Sequence, residues 1–423
     1  MPNFTLECFQ NEFLAEGAED VNAIVTVKAS GMPSPPTSGG AASSETAVVM
    51  MIDVSGSMDG EKIRQARKAA VAAIDCVPDG VRFAVIAGNH AARPVWPRTG
   101  LAVANSDSRV AAGKEVAKLE TGGGTRIGAW IATATDLLAD ETGVRQAILL
   151  TDGKDEHETP EDLAAALASA SGVFQCDCRG VGTDWVVAEL RGIADALLGT
   201  VDIVADPADL TADFQRIMSG AMGKQAPDVI LRVWAPQGAQ VMFLKQVAPH
   251  IRDLTSTGSS SGGLSTDYPT GSWGEEDRDY HLAVRVKPGA IGDEMLAARV
   301  TIMLDGQPAG QALVRAVWTD DPALSTRINH RVAQATGEEE LAVAIDEGMQ
   351  ALNDGDRDTA AVRFGRAVQL ADAAGDKEKS ELLARVVDVE DASTGRVRLK
   401  SDIQKADAMT LDARSRKTTR VKR

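Results

Sequence analysis

From Thr46 to about Lys224, short apolar runs alternate with stretches in which apolar residues recur every three or four positions. A near-continuous apolar run is typical of a strand covered by helices on both faces, and the recurring spacing is typical of an amphipathic helix. Because crossovers between parallel strands are right-handed, this alternation predicts a doubly wound, mostly parallel α/β sheet. The predicted strands are 47–53, 81–87, 147–152, 174–181 and 201–205, and the predicted helices are 61–76, 161–169, 186–197 and 208–222.

Patterns typical of β-strands lie on both sides of this region. Two strands are predicted before it, at 4–7 and 21–27, and a Gly/Ser-rich loop is predicted at 256–274. Two strands alone cannot bury a face, so we expect them to join the later strands in one β-sandwich. These later strands are 229–234, 241–246, 280–286, 297–304 and 312–318.

The chain is therefore predicted to have an inserted domain organisation. Residues 1–29 and 225–325 form the β-sandwich, into which the α/β domain, residues 46–224, is inserted. Residues 30–45 are rich in Ser, Gly and Pro and are predicted to be a linker.

The last quarter of the chain has a helical pattern. Residues 326–400 are predicted to be helical, and 348–367 resemble a single tetratricopeptide-type helical hairpin. A single repeat lacks neighbours to stack on, so a helical cap packed on the rest of the chain is favoured over a peptide-binding solenoid. Residues 401–423 end in a basic segment, for which a solvated, mobile tail is favoured over a functional one.

Composition narrows the function classes. Hydrophobic residues make up 44% and charged residues 25% of the 423, as in ordinary globular proteins, and the net charge of −17 disfavours nucleic acid and anionic membranes. The acids Glu7 and Glu12 lie where a secretory signal would be basic or apolar, and no run is long enough to cross a bilayer. The lack of a long apolar run predicts that there is no transmembrane helix. The four cysteines do not form a dense disulfide framework, which fits a reducing compartment, so we expect a cytoplasmic protein.

Three short motifs lie where predicted strands end. Asp53-Val-Ser55-Gly-Ser57 follows the first apolar run, Thr121-Gly-Gly-Gly-Thr125 precedes a helix, and Thr151-Asp152-Gly153 ends another apolar run. The carboxyl ends of parallel strands are where ligands bind in open α/β sheets. Together with Gly180-Val-Gly182, these motifs make residues 46–223 similar to the von Willebrand factor A (VWA) family and its metal-ion-dependent adhesion site (MIDAS).

The resemblance implies a metal site. Ser55, Ser57 and Thr125 would offer hydroxyl oxygens, while Asp53 and Asp152 would hold metal-bound water or approach directly. All five are hard oxygen donors, which favours Mg²⁺, with Mn²⁺ or Ca²⁺ as alternatives, over zinc. Helix caps and a turn are the other interpretation of these residues, but capping does not require three coordinated motifs.

The donor chemistry also indicates a function. Neutral hydroxyls leave the cation electrophilic, so it can accept an Asp or Glu carboxylate from a protein partner. We therefore expect a non-enzymatic, metal-dependent interaction module, an adaptor or regulatory subunit in a bacterial stress or signalling system. The alternative is a Mg²⁺-dependent phosphoesterase or other hydrolase, although haloacid-dehalogenase-type phosphatases carry a second Asp where this chain has Ser55.

Three other features leave alternatives open. Cys176 and Cys178 share one face of a strand, where buried structural thiols are favoured over soft-metal or redox chemistry. His157 is either a solvated surface residue or a residue of the site loop that selects partners. Asn89-His90 is equally ambiguous, between a strand-end turn and a role beside the site.

Overall fold

The structure is a computed structural model that describes residues 2–32, 46–155 and 157–418. The chain divides into two compact units. The α/β unit comprises residues 33–228 and 271–274, and the sandwich unit comprises residues 1–32, 229–270 and 275–423. Most of the predicted linker, residues 33–45, lies outside the described residues. Within the described ranges, no helix combines the length and the apolar character needed to cross a membrane.

The strands, in chain order, are β1 (Asn3–Gln10), β2 (Phe13–Ala15), β3 (Asp20–Ser30), β4 (Thr46–Asp53), β5 (Arg82–Gly88), β6 (Ala92–Trp96), β7 (Ala102–Val103), β8 (Val144–Thr151), β9 (Gln175–Val181), β10 (Val201–Val204), β11 (Ile230–Trp234), β12 (Gln240–Ala248), β13 (Arg252–Asp253), β14 (Ser259–Gly262), β15 (Ser265–Pro269), β16 (Asp277–Arg285), β17 (Glu294–Leu304), β18 (Gln307–Thr319), β19 (Val387–Asp391) and β20 (Arg396–Leu399). The helices are α1 (Glu61–Asp75), α2 (Ser106–Val116), α3 (Ile127–Leu138), α4 (Pro160–Ala170), α5 (Val187–Ala196), α6 (Leu210–Met222), α7 (Pro322–Ser325), α8 (His330–Asn353), α9 (Arg357–Ala374), α10 (Lys377–Val386) and α11 (Lys405–Ala413).

The α/β unit is built on one sheet, with strand order β10-β9-β8-β4-β5-β6 and β7 also pairing with β5. Strand β4 lies between β5 and β8, parallel to both, and all of its residues are buried. Val48, Met50 and Ile52 of β4 pack in one core with apolar residues of α1 and α6. The predicted doubly wound sheet is therefore confirmed. Helix α2 was missed because it buries little, only Ala112 and Val116.

The sandwich unit contains two sheets, ordered β1-β3-β16-β12-β13 and β14-β15-β11-β17-β18-β2. Strand β3 pairs antiparallel with both β1 and β16, which places Val25 opposite Tyr280. Strand β18 of the second sheet contacts β1 and β3 of the first. The predicted sandwich, built from strands on both sides of an inserted α/β domain, is therefore confirmed.

The predicted loop at 256–274 is wrong in part, because this stretch contains β14 and β15. The strands were not predicted because a Gly/Ser-rich composition is typical of loops. They are held by backbone pairing at the sheet edge and by a few side chains. Tyr268 is buried. Asp267 lies opposite Arg232 of β11, and its carboxylate accepts a hydrogen bond from the guanidinium Nε of Arg232 at 2.7 Å.

The carboxyl-terminal helices pack on the sandwich as a cap. Val332 and Ala335 of α8 lie against Ile24 and Val247 of the sheet, and Glu339 accepts a hydrogen bond from Lys245 at 2.6 Å. A cap is the alternative that the sequence favoured. The predicted helical region also contains the hairpin β19–β20. This hairpin was not predicted, because both of its strands are short and polar.

The interpretation of residues 401–423 as a solvated tail is wrong for residues 405–418. Leu411 of α11 is fully buried in the helical core, because apolar residues recur at helical spacing within an otherwise polar segment. Beyond the helix, Ser415 donates its hydroxyl to Asp346 at 2.9 Å and Thr418 donates to the Val247 carbonyl at 2.7 Å. Residues 419–423 lie outside the described part of the chain.

Candidate metal centre

The candidate site lies at the carboxyl edge of the parallel sheet. Asp53 is the last residue of β4, and Asp152 directly follows the last residue of the neighbouring strand β8. Parallel register brings these two strand ends together. Thr151 joins them, because its hydroxyl donates to Asp53 Oδ2 at 2.5 Å.

The loop after β4 is held by hydrogen bonds that its backbone amides donate. The Ser55 amide donates to Asp53 Oδ1 at 2.7 Å, and the Gly56 amide donates to the Gly123 carbonyl at 2.9 Å. A single turn of 3₁₀-helix over Gly56–Met58 follows and buries Met58. This turn presents Ser55 and Ser57 to the same region before α1 begins.

The loop that carries Thr125 is fixed by Asn89 and by its glycines. The Asn89 side-chain amide donates to the Gly122 carbonyl at 2.8 Å, and the Asn89 carbonyl accepts the Arg126 amide at 3.0 Å. Gly123 has φ +81°, and a Cβ there would lie 2.4 Å from Nδ1 of His90. A side chain at this position would therefore be strained and would clash. Asn89 of the ambiguous Asn89-His90 pair thus holds the Thr125 loop in place, and the His90 ring lies beside Gly123 of that loop.

The five predicted donors come together in one cluster, defined as Asp53, Ser55, Ser57, Thr125 and Asp152. The hydroxyl oxygens of Ser55 and Ser57 are 3.0 Å apart, and Ser57 donates to Asp152 Oδ1 at 2.6 Å. Both carboxylates are fully buried, whereas Ser57 is exposed. The cluster is therefore buried on the side of its two carboxylates and open to solvent on the side of Ser57.

The buried carboxylate of Asp53 has a perturbed acidity. Burial raises its pKa to about 6, although hydrogen bonds from Ser55 and Thr151 lower it in part and the charge of Asp152 raises it. A nearby positive charge would favour the ionised form. The cluster thus holds negative charge that a cation would stabilise.

Two family models match this chain, one within the α/β unit and one within the carboxyl-terminal helical region. A family model described as von Willebrand factor type A domain matches residues 46–203, and one described as von Willebrand factor type A C-terminal domain matches residues 369–415. A solved structure described as von Willebrand factor type A from Catenulispora acidiphila is 47% identical, with a TM-score of 0.93 over 99% of this chain and 98% of that one. The chain belongs to the von Willebrand factor type A family.

More distant similarities extend this relationship. The ArnB paralog VWA2 from Sulfolobus acidocaldarius has the same fold at 15% identity, with a TM-score of 0.62 and 98% of each chain covered. An uncharacterized protein of Synechocystis is 28% identical over 218 residues, which are 49% of this chain and 49% of that protein. The chain thus spans about half the length of this curated relative. VWA domains commonly bind a divalent metal at a MIDAS, typically mediate protein–protein interactions and are generally not catalytic.

The donor set of this VWA protein suits a hard divalent cation. A Cβ on Gly153 would lie 3.1 Å from Thr125 Oγ1, 3.4 Å from Ser57 Oγ and 3.9 Å from Asp53 Oδ2. Hydroxyl and carboxylate oxygens therefore converge on one space, which the lack of a side chain at Gly153 leaves open. Oxygen donors are the ligands that Mg²⁺, Mn²⁺ and Ca²⁺ prefer. The described residues contain no group of three or more His, Cys, Asp or Glu side chains that could hold a metal by themselves.

Lys62 lies beside this cluster, and the sequence motifs did not predict it. Its ammonium nitrogen is 2.5 Å from Asp152 Oδ2 and 3.2 Å from Asp184 Oδ2. Partial burial would lower the pKa of Lys62, but hydrogen bonds and charge from the two aspartates outweigh burial and raise it. The only signal in the sequence is that Lys62 lies in the first turn of the helix that follows the first motif.

The remaining candidate residues have structural contacts. His157 is exposed and packs beside Gly124, and its Nδ1 accepts the Thr125 amide at 3.3 Å. The sulfurs of Cys176 and Cys178 are 4.0 Å apart, and both thiols are free and buried. The geometry favours structural cysteines, as the sequence did, and it brings His157 next to the site loop.

Proposed function

We propose that this VWA protein holds a protein partner through a divalent cation. Ser55, Ser57 and Thr125 would supply hydroxyl oxygens to the cation, and Asp53 and Asp152 would bind it directly or through water. The cation would supply an electrophilic position for an Asp or Glu carboxylate of the partner. One observation carries the proposal, which is that oxygens of Asp53, Ser57 and Thr125 lie around the open space at Gly153.

The chemistry of the donors supports binding rather than catalysis. The three hydroxyl donors carry no charge, so only the two aspartates offset the charge of the cation, and an incoming carboxylate gains a strong contact even though the whole chain carries a net charge of −17. Mg²⁺ suits the donors because it favours oxygen ligands and retains water. We therefore propose an adaptor or regulatory subunit in a bacterial stress or signalling system, located in the cytoplasm and without enzyme activity.

A Mg²⁺-dependent phosphoesterase is the alternative function. It would need a general acid near the strand-end Asp53, two residues further along the chain. That position holds Ser55, whose hydroxyl lies 3.0 Å from that of Ser57. A seryl hydroxyl does not serve as a general acid at neutral pH, so this geometry favours the binding function.

The test is affinity capture from native cells with the full chain. Wild type and Thr125→Ala are compared in Mg²⁺ and in EDTA, with Thr121→Ala as the matched control. Thr121 lies in the same loop, but its hydroxyl contacts Asp59 at 3.2 Å instead of the cluster. A partner should be recovered by wild type and the control in Mg²⁺ alone, and Thr125→Ala should lose it. Equal recovery under all conditions, or Mg²⁺-dependent turnover of phosphoesters, would contradict the proposal.

A further inference from the structure

The contact between Lys62 and Asp152 places a fixed positive charge next to the donor cluster. Lys62 is the second residue of α1, and 24% of its side chain is exposed, whereas Asp152 is fully buried. The two carboxylate oxygens of Asp152 have different partners. Oδ1 accepts the Ser57 hydroxyl and Oδ2 accepts the Lys62 ammonium.

We propose that Lys62 competes with the divalent cation for the charge of Asp152, so that the cation and an acidic partner bind cooperatively. This inference rests on the proposed function and concerns how the same site is regulated. It assigns to Lys62 the role of weakening cation binding until a partner carboxylate arrives.

A balance of formal charges supports the inference. Asp53 and Asp152 together carry two negative charges, which a divalent cation alone would neutralise. With the Lys62 ammonium on Asp152, the same group is left with one net positive charge. A partner carboxylate restores neutrality, so the partner contributes more to cation affinity than it would without Lys62.

The location of these charges makes the effect strong. Both cluster carboxylates are fully buried, so solvent and salt screen their interactions poorly. The other contact of Lys62 is Asp184, whose side chain is 63% exposed and therefore better screened. Asp184 offers Lys62 a second acceptor within reach, but it cannot cancel the repulsion between the ammonium and a cation at the cluster.

The experiment is calorimetric titration of Mn²⁺ into the full chain at pH 8. Lys62→Gln removes the charge and should bind Mn²⁺ about ten-fold more tightly than wild type. Lys62→Arg keeps the charge and should stay near the wild-type affinity. Lys154→Gln is the matched control, because Lys154 follows Asp152 by two residues, is exposed and makes no ion pair with the described residues. The control should stay within about two-fold of wild type.

A second arm measures the coupling with acetate as a carboxylate probe. Replacing chloride by acetate at equal ionic strength should strengthen Mn²⁺ binding to wild type more than to Lys62→Gln. Circular dichroism and thermal unfolding check that each variant is folded, and Lys62→Met replaces the Gln variant if that one is not.

The outcomes separate the inference from the proposed function. Unchanged or weaker Mn²⁺ binding by a folded Lys62→Gln variant would overturn the inference, because Lys62 would then only orient Asp152. The proposed function would survive that result if wild type binds Mn²⁺ and loses its partner in EDTA. If wild type does not bind Mn²⁺ at all, both are overturned.

Discussion

Thr151 and Asp53 end adjacent parallel strands, and the hydroxyl of the first donates to the carboxylate of the second at 2.5 Å. Both side chains are fully buried. This contact explains how a carboxylate is kept at the end of an apolar strand, because a buried charge requires hydrogen-bond partners. It also fixes the direction in which Asp53 presents its oxygens to the cluster.

Replacing Thr151 by Val should destabilise the α/β unit by about 1 to 3 kcal/mol, because Asp53 Oδ2 loses a buried hydrogen bond while the volume is conserved. Urea unfolding measures the loss. The matched control is Thr135→Val, since among the described residues the Thr135 hydroxyl bonds only to the Ile131 carbonyl of its own helix. An equal loss of unfolding free energy in the two variants would show that the strand-end hydrogen bond stabilises the protein no more than one within a helix.

Asp53→Ala should abolish cation binding while the fold is retained, because the cluster lies at an edge of the sheet that is open to solvent. Calorimetry with Mg²⁺ and with Mn²⁺ measures the loss, and thermal unfolding checks the fold. Undiminished binding by the folded variant would show that the cation lies elsewhere.

Stability without metal should depend on pH through Asp53. Its pKa is raised to about 6 in the folded chain, against about 3.9 in an unfolded one, so the folded state binds more protons between these values. The wild-type free energy of unfolding, relative to that of Asp53→Asn, should therefore fall as pH rises from about 4 to about 6. The full change should be about 2 to 3 kcal/mol. Unfolding in EDTA across this range measures the difference, and a flat difference would mean that Asp53 titrates normally.

Gly123→Ala should weaken both the fold and cation binding. The residue would have to adopt φ +81°, and its Cβ would meet the His90 ring, at a cost of about 1 to 3 kcal/mol. Gly220→Ala is the matched control, because Gly220 lies in α6, where an added Cβ would meet no atom of the described residues within 4 Å outside the helix's own backbone, and Ala favours helix there. Normal Mn²⁺ binding by Gly123→Ala would show that the Thr125 loop tolerates another backbone path.

Removing residues 414–423 should destabilise the sandwich unit more than removing residues 419–423. The longer deletion takes away the Arg414 and Ser415 carbonyls that accept the ammonium of Lys379. Burial lowers the pKa of Lys379 to about 8. A buried ammonium that loses its hydrogen-bond acceptors lowers the stability of the folded state. Urea unfolding of the two truncated proteins isolates the contribution of residues 414–418. Equal midpoints would contradict the prediction.

The sequence predicted the sheet, the insertion and the cluster residues because their signals are local. Asp53 and Asp152 follow apolar runs, and strand order alone brings such ends together. Lys62 could not be predicted, because a lysine at the start of a helix is ordinarily solvated and only tertiary packing brings it to Asp152. The carboxyl-terminal segment was misinterpreted for a related reason. Its polar side chains are satisfied by distant partners such as Asp346, which no sequence window contains.

The pairing of β3 with β16 sets an order of events during synthesis. Asp20 lies opposite Arg285, so the amino-terminal strands must wait for 265 further residues before their partner leaves the ribosome. At about 5 to 20 residues per second, this interval lasts about 10 to 50 s. The core sheet of the α/β unit comes from one continuous stretch that is finished first, whereas β1 and β3 keep an unpaired edge throughout. A nascent chain stalled before residue 277 should therefore depend on chaperones at β1 and β3, although the core sheet of its α/β unit is complete.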